Sequence, residues 1–331
     1  MRQKISTASE TRNINSAARP HKPVRREFLR QAGALAFLAS SGLSRAGSAL
    51  DAPLPNPVGY ATISWTMHEF DQALATISAL GYQGVQLQGG VRDAFAGDKV
   101  QQLKARLQQW RLFPTALSCL GVRIDPGKSV DAENFRGYVA FMSSLGGKFL
   151  QIVEVGRCDR EYSLAEMKSM GSALNELGSR AADAGLMLGY HPHLGSLGET
   201  REGLAKVFEA TDPQYVGLIA DVAHLALGGS DPAEVIRTYH QRLILLHLKD
   251  ARKDAYALAR QNRPAVREME PKFCEVGRGA VDFAALVATL RAVQFQGWAI
   301  VELDSFEPPP GGPAESARLN KEALHQLGFN I

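Results

Sequence analysis

Short apolar runs alternate with longer amphipathic stretches from residue 58 to the C terminus. Runs of four to eight apolar residues bounded by turn signals read as buried strands. Eight fit: Val58–Ser64, Gly84–Gln88, Pro114–Cys119, Phe149–Glu154, Leu186–His191, Val216–Asp221, Leu243–His247 and Trp298–Glu302. Between them, apolar residues at helical spacing predict helices over 68–80, 98–111, 131–145, 163–184, 200–210, 231–240 and 281–293, with a last near 314–327. Helix starts carry capping residues: Ser163 with Glu166, Asp231 followed by Pro232, and Asp282. Gly81, Gly146, Gly185 and Gly297 sit at helix-to-strand turns, where a left-handed glycine reverses the chain. Eight β–α units without a dinucleotide glycine fingerprint predict one closed (β/α)8 barrel. One connection departs from the pattern. Residues 251–279 form a charged stretch containing Tyr256, Arg263, Arg267, Lys272 and Cys274. It is far longer than the usual loop of about 2–6 residues. On the open face of a barrel such a segment reads as a lid or binding wall.

The first 49 residues stand apart. Arg25-Arg26-Glu27-Phe28-Leu29 is a twin-arginine pattern, followed by a weakly apolar stretch from Ala32 to Leu43 and small residues at Gly47-Ser48-Ala49. That stretch is shorter than the roughly 20 apolar residues of a span. The order of charged, apolar and cleavable parts resembles a Tat export signal, which places the mature protein in the periplasm. Domain organisation is therefore read as a signal over 1–49 and a barrel over 50–331. The barrel's 282 residues match the typical length of about 250. The whole chain carries a net charge of +3, but residues 1–49 hold nine Lys or Arg and two Asp or Glu. Without them the charge is close to −4. An acidic domain argues against a phosphate-backbone binder. No later run is long enough for a membrane span. Cys119, Cys158 and Cys274 have no CxxC spacing and fit neither a zinc finger nor a disulfide framework.

Glu154, Asp221, His247 and Glu302 each end one of the apolar runs. In a parallel barrel all strand ends open on one face, so these residues converge. Burying several like charges is costly without a cation, and three carboxylates with one imidazole suit a divalent ion such as Mn²⁺, with Mg²⁺, Co²⁺ or Zn²⁺ as alternatives. Capping roles for Asp221 and Glu302, and core packing for His247, are the plainer readings. Lys249 returns to the face of His247 by period-two alternation and is a donor to a substrate hydroxyl or an ion-pair partner. Asp250 orients a neighbour. His191 and His193 share a face as proton-handling candidates. Gln86 and Gln88 end the second strand as hydrogen-bonding candidates, and Trp65 either stacks on a bound ring or packs at the rim. His224 joins Gln88, Trp65 and Lys249 as a substrate contact.

Four segments, His191-Pro192-His193-Leu194-Gly195-Ser196, Asp221-Val222-Ala223-His224, His247-Leu248-Lys249-Asp250 and Gly277-Arg278-Gly279-Ala280-Val281-Asp282-Phe283, resemble the xylose-isomerase-like TIM barrel superfamily. The stretch from Tyr190 to Ser196 is most similar to the inosose dehydratase branch. The resemblance implies one Mn²⁺-like ion on Glu154, Asp221, His247 and Glu302. Many epimerases of the group end strand five with Glu, where this chain has His191; the expectation prefers Glu154 over His191 as the remaining ligand. The implied activity is a dehydratase, isomerase or epimerase that removes the proton beside the carbonyl of an unphosphorylated keto-sugar, keto-glycoside or keto-cyclitol. Its catalytic residues are expected among His191, His193, Lys249, Glu154 and Glu302. Alternatives are a ketose 3-epimerase, a non-catalytic periplasmic sugar-binding barrel and, last, an endonuclease-IV-like repair enzyme. The expected partner is a small carbohydrate or cyclitol, not nucleic acid or membrane, and a homo-oligomer is compatible with the sequence.

If the segment is a cleaved signal, mature protein begins near Leu50, and Arg25→Lys with Arg26→Lys holds the precursor in the cytoplasm. N-terminal sequencing of the periplasmic fraction checks this; material still beginning at Met1 overturns it.

Overall fold

The computed structural model describes residues 52–123, 132–155, 162–304 and 306–331. The signal segment, its cleavage positions and Cys158 lie outside the described residues. Eight parallel strands close a barrel: β1 (Val58–Ala61), β2 (Gly84–Gln88), β3 (Phe113–Arg123), β4 (Phe149–Val155), β5 (Met187–Tyr190), β6 (Val216–Asp221), β7 (Leu243–Leu248) and β10 (Trp298–Val301). They pair in sequence order, and β10 closes the ring between β7 and β1.

The strand pleat sorts side chains into two layers. Ala61, Ala116, Phe149, Ile219, Leu245 and Ile300 cluster together inside the barrel. Their neighbours Tyr60, Tyr190, Leu218, Leu246 and Val301 join the larger core beneath the helices. Gly189 keeps the inner layer closed, since a Cβ there would come within 2.4 Å of Ile219. At the strands' N-terminal end, Trp298 stacks on Phe113 with centroids 5.6 Å apart.

Helix starts follow the sequence chemistry. Ser163 and Glu166 form a reciprocal capping box, and Asp231 caps a helix with proline in its first turn. Gly81, Gly146 and Gly185 adopt positive φ, but before β10 the left-handed residue is Gln294 (φ 53°), not Gly297. Gly297 is a close-approach position instead, where a Cβ would lie 2.4 Å from the Phe295 ring.

The long connection is not an irregular loop. It contains a short antiparallel pair, β8 (Asp250–Ala251) with β9 (Phe273–Cys274), and helices Lys253–Gln261 and Arg263–Glu268. Ala255 and Val266 bury against Leu194, Leu227, Phe273 and Leu303, a small core of its own over the barrel mouth. Cys119 is buried and Cys274 half-buried, both as free thiols. Among the described residues no helix is long and apolar enough to cross a membrane.

Asp250 anchors this segment. Its carboxylate accepts from the backbone N–H groups of Ala251 (2.8 Å), Gly279 (2.8 Å) and Val281 (2.9 Å). Truncating it leaves three donors without their acceptor, and Asp250→Ala is expected to cost about 3 kcal/mol, with Asp250→Asn milder. Urea unfolding reads the loss; an unchanged midpoint in Asp250→Ala refutes the anchoring role.

Candidate metal centre and its histidine wall

The inward-facing parity carries past the strand ends. Asp221 pairs with His247 across β6 and β7, and His247 pairs with Ile300, so Glu302 stands one inward step beyond it. His191 stands one inward step beyond Gly189. Each of His191, Asp221, His247 and Glu302 is buried and offers one ligand atom, and these atoms all lie within 4.8 Å of one another. His247 Nδ1 is 3.2 Å from Glu302 Oε2 and 3.7 Å from Asp221 Oδ2.

Supporting contacts aim these atoms inward. Asp221 Oδ1 accepts from the N–H groups of Ala223 and His224, both at 3.0 Å, at the start of helix Val222–Leu227. That leaves Oδ2 for the centre. The Gln86 amide accepts from His247 Nε2 (2.8 Å) and donates to Glu302 Oε1 (2.7 Å), so His247 presents Nδ1 to the centre. Gln151 and Ser118 hold the same amide from β4 and β3. His191 Nδ1, Asp221 Oδ2 and His247 Nδ1 are buried without a hydrogen-bond partner. Unsatisfied buried polar atoms are rare, and two imidazole nitrogens with two carboxylate oxygens match a borderline divalent ion. The donor set fits a metal. Burial opposes a charge on His247, yet Glu302 and Asp221 carry its pKa up to about 9.

Lys249 is wholly buried beside this group. Its Nζ lies 3.1 Å from Asp221 Oδ2, 3.3 Å from Glu302 Oε2 and 2.7 Å from Asp304 Oδ1, and 4.4 Å from the centroid of the Phe273 ring. Desolvation disfavours the ammonium, but the three carboxylates hold it well above its ordinary range. It is an internal counter-charge before it is anything else. Asp304 escaped the sequence reading, although it lies one period-two step past Glu302.

Asp304 also faces His193 and His224, with its Oδ2 3.8 Å from each Nε2. The two imidazoles lie with centroids 3.8 Å apart, and Phe273 meets His224 edge-on. Burial, then His193 and Lys249, lower His224 to about 4, so it stays neutral. For His193 burial acts downward but Asp304 outweighs it and raises the pKa. The β5 loop that carries His193 is tied down through buried Glu199, which pairs with Arg263 (3.0 Å) and Arg267 (2.9 Å) of the long connection.

Other candidates fall elsewhere. On β4 the inward positions are Phe149 and Gln151, and Glu154 falls out of step with them, in the register of Ile152, which pairs with Tyr190. Its carboxylate accepts from the Leu197 N–H and bonds the Tyr190 hydroxyl, and desolvation raises its pKa. The group of four is therefore completed by His191, not Glu154. Trp65 is buried and packs against Tyr60 in a T-shaped pair, with centroids 5.4 Å apart. Gln88 follows Gln86 on the inward face, partly exposed.

Residues 74–323 match the model of the xylose isomerase-like TIM barrel. An inosose dehydratase of Geobacillus kaustophilus is 28% identical over 303 residues, covering 84% of this chain and 96% of that protein. The IOLI protein, solved with a bound zinc atom, superposes with a TM-score of 0.65 at 18% identity, over 83% of this chain and 100% of its own. The probable 3-DHS dehydratase AsbF from Bacillus anthracis gives 0.64 at 13% identity, over 83% and 100%. With three quarters of its length matched and the closed parallel barrel in place, the chain belongs to the xylose isomerase-like TIM barrel family.

Proposed function

We propose that the protein is a divalent-metal-dependent enzyme that removes the proton beside the carbonyl of a keto-cyclitol or unphosphorylated keto-sugar and expels the β-hydroxyl as water. The observation that carries this reading is the pairing of two groups at one barrel mouth: the four buried donors and, beside them, His193, His224 and Asp304. His191, Asp221, His247 and Glu302 would hold the ion, which when bound supplies Lewis-acid polarisation of the substrate carbonyl. His193, the partly exposed imidazole, is placed to move the proton. Lys249 keeps the carboxylates apart in charge and fixes Asp304. The likeness to inosose dehydratases favours elimination, and epimerisation is the second reading, since the same abstraction with proton return to the other face requires no further group. The twin-arginine pattern supports a periplasmic location for this activity, which suits unphosphorylated substrates.

The metal assignment is tested by elemental analysis and metal titration. The purified chain is expected to hold about one divalent ion; His191→Ala and His247→Ala lose it, whereas Glu154→Ala keeps it. Gln86→Ala, which frees two ligands from their brace, weakens affinity about 10–100-fold. A proton on His247 must leave before the nitrogen can ligate, so below its raised pKa, about 9, affinity is expected to climb about tenfold per pH unit. Full occupancy in His247→Ala, or pH-independent affinity at pH 6–8, removes His247 from the set.

Incubation of the metal-loaded protein with inososes, keto-sugars and keto-glycosides in D₂O tests the reaction. Loss of water from an inosose with deuterium uptake beside the carbonyl is the expected result. Uptake without water loss converts the reading to epimerisation, and no uptake in any substrate overturns it.

A further inference from the structure

The backbone of one residue, Leu194, touches both imidazoles of the wall. The Leu194 N–H points to His224 Nδ1 at 3.2 Å, and the Leu194 carbonyl oxygen lies 2.9 Å from His193 Nδ1. A backbone N–H can only donate and a carbonyl can only accept. His224 therefore keeps its proton on Nε2, and neutral His193 keeps its proton on Nδ1. One residue's backbone gives two neighbouring imidazoles opposite tautomers. Their Nε2 atoms converge on Asp304 Oδ2, 3.8 Å from each, while Lys249 holds the other oxygen at 2.7 Å. His224 Nε2 is buried and has no hydrogen-bond partner.

The three side chains bring ligand-type atoms within 4.8 Å of one another, which raises the question of a second ion. The tautomers answer it. A metal on His224 Nε2 would require a proton on Nδ1, facing the Leu194 N–H donor to donor. This group is built to carry protons and hydroxyls.

We propose that His193 and His224 are an asymmetric pair, set by Leu194 and steered by Asp304. His193 Nε2 offers a lone pair to the substrate's C–H, and His224 Nε2–H is a fixed donor to a substrate oxygen. Asp304 is a positioning residue: its Oδ2 faces the His224 Nε2–H, and it stabilises the Nε2–H of His193 once that nitrogen has taken the proton. The proposal rests on the elimination reading above and names its proton path. His193 Nε2 takes the proton beside the carbonyl, and the C–H electron pair passes into the substrate's enolate. That pair then forms the C=C bond as the β C–O bond breaks toward oxygen. The proton on His193 joins the departing hydroxyl, so water leaves and neutral His193 is restored.

¹⁵N-histidine NMR of the zinc-loaded chain reads the tautomers without substrate, with His193→Gln and His224→Gln identifying the signals. The expected result is His224 protonated on Nε2 only and neutral His193 protonated on Nδ1 only. The same tautomer in both overturns the pairing, whatever the chain does to an inosose. Zinc content above about one ion per chain that falls in His224→Gln would establish a second metal site instead. For Asp304, the probe is an inosose in D₂O. Asp304→Asn is expected to keep its zinc and lower kcat about 10²-fold with little change in KM, and Asp304→Glu to recover part of the loss. Wild-type kcat in Asp304→Asn, or a loss equal in both variants with zinc retained, refutes the positioning role. If Asp304→Asn fails to fold, Asp304→Glu decides: a shifted His193 or His224 signal with altered kcat supports the role, and unchanged signals and kcat refute it.

Discussion

Three carboxylates, Asp221, Glu302 and Asp304, meet a single buried ammonium, Lys249, at the open end of the barrel. Like charges gathered in a low-dielectric interior repel, and each loses its hydration. Lys249 offsets part of that cost with three close contacts, and the remaining negative charge lifts His247 toward its protonated form. Everything at the mouth is arranged around this balance. His191 Nδ1 and His247 Nδ1 are buried without a hydrogen-bond partner, Lys249 stands beside the ligand carboxylates, and Asp304 is pinned on one oxygen so that the other meets the histidines.

Such a balance requires aim, and the aim comes from the barrel. Period-two alternation sends Asp221, His247 and Glu302 inward from adjacent strands, above a layer closed by Ile219, Leu245 and Ile300. The Gln86 amide then links Glu302 to His247 from the far side of the ring. Neither contact depends on a flexible loop. The histidine wall depends partly on a loop: His193 lies in the segment after β5, held through Leu194 and Glu199, whereas His224 lies on a helix and meets Phe273.

Most of the fold was legible because strands in a parallel barrel are buried on both sides and read as unbroken apolar runs. Six of the site's residues, Asp221, His247, Glu302, Lys249, His193 and His224, could be placed from their distance to those runs. Glu154 misled because it ends an apolar run as the others do. β4 stays paired through Val155, but with Phe149 and Gln151 facing inward Glu154 falls on the opposite parity. Asp304 was missed because it lies beyond the run, where parity must be carried through a bend. The helices within 251–279 were obscured by charge; their apolar positions bury against Leu194 and Phe273, which no local pattern announces. Gln294 shows the same limit at a turn. A non-glycine took the strained conformation while Gly297 served packing.

The ion pairs from Glu199 to Arg263 and Arg267 have a consequence for how the site can diverge. They make one side of the mouth an attachment, held by a segment with its own small core, while the opposite side is part of the barrel itself. Sequence change in the attachment can shift the His193 loop and reshape what fits beside it. The four inward donors and their glutamine brace need not move. On the proposed function, substrate preference and metal retention would thus be carried by separate parts of one chain.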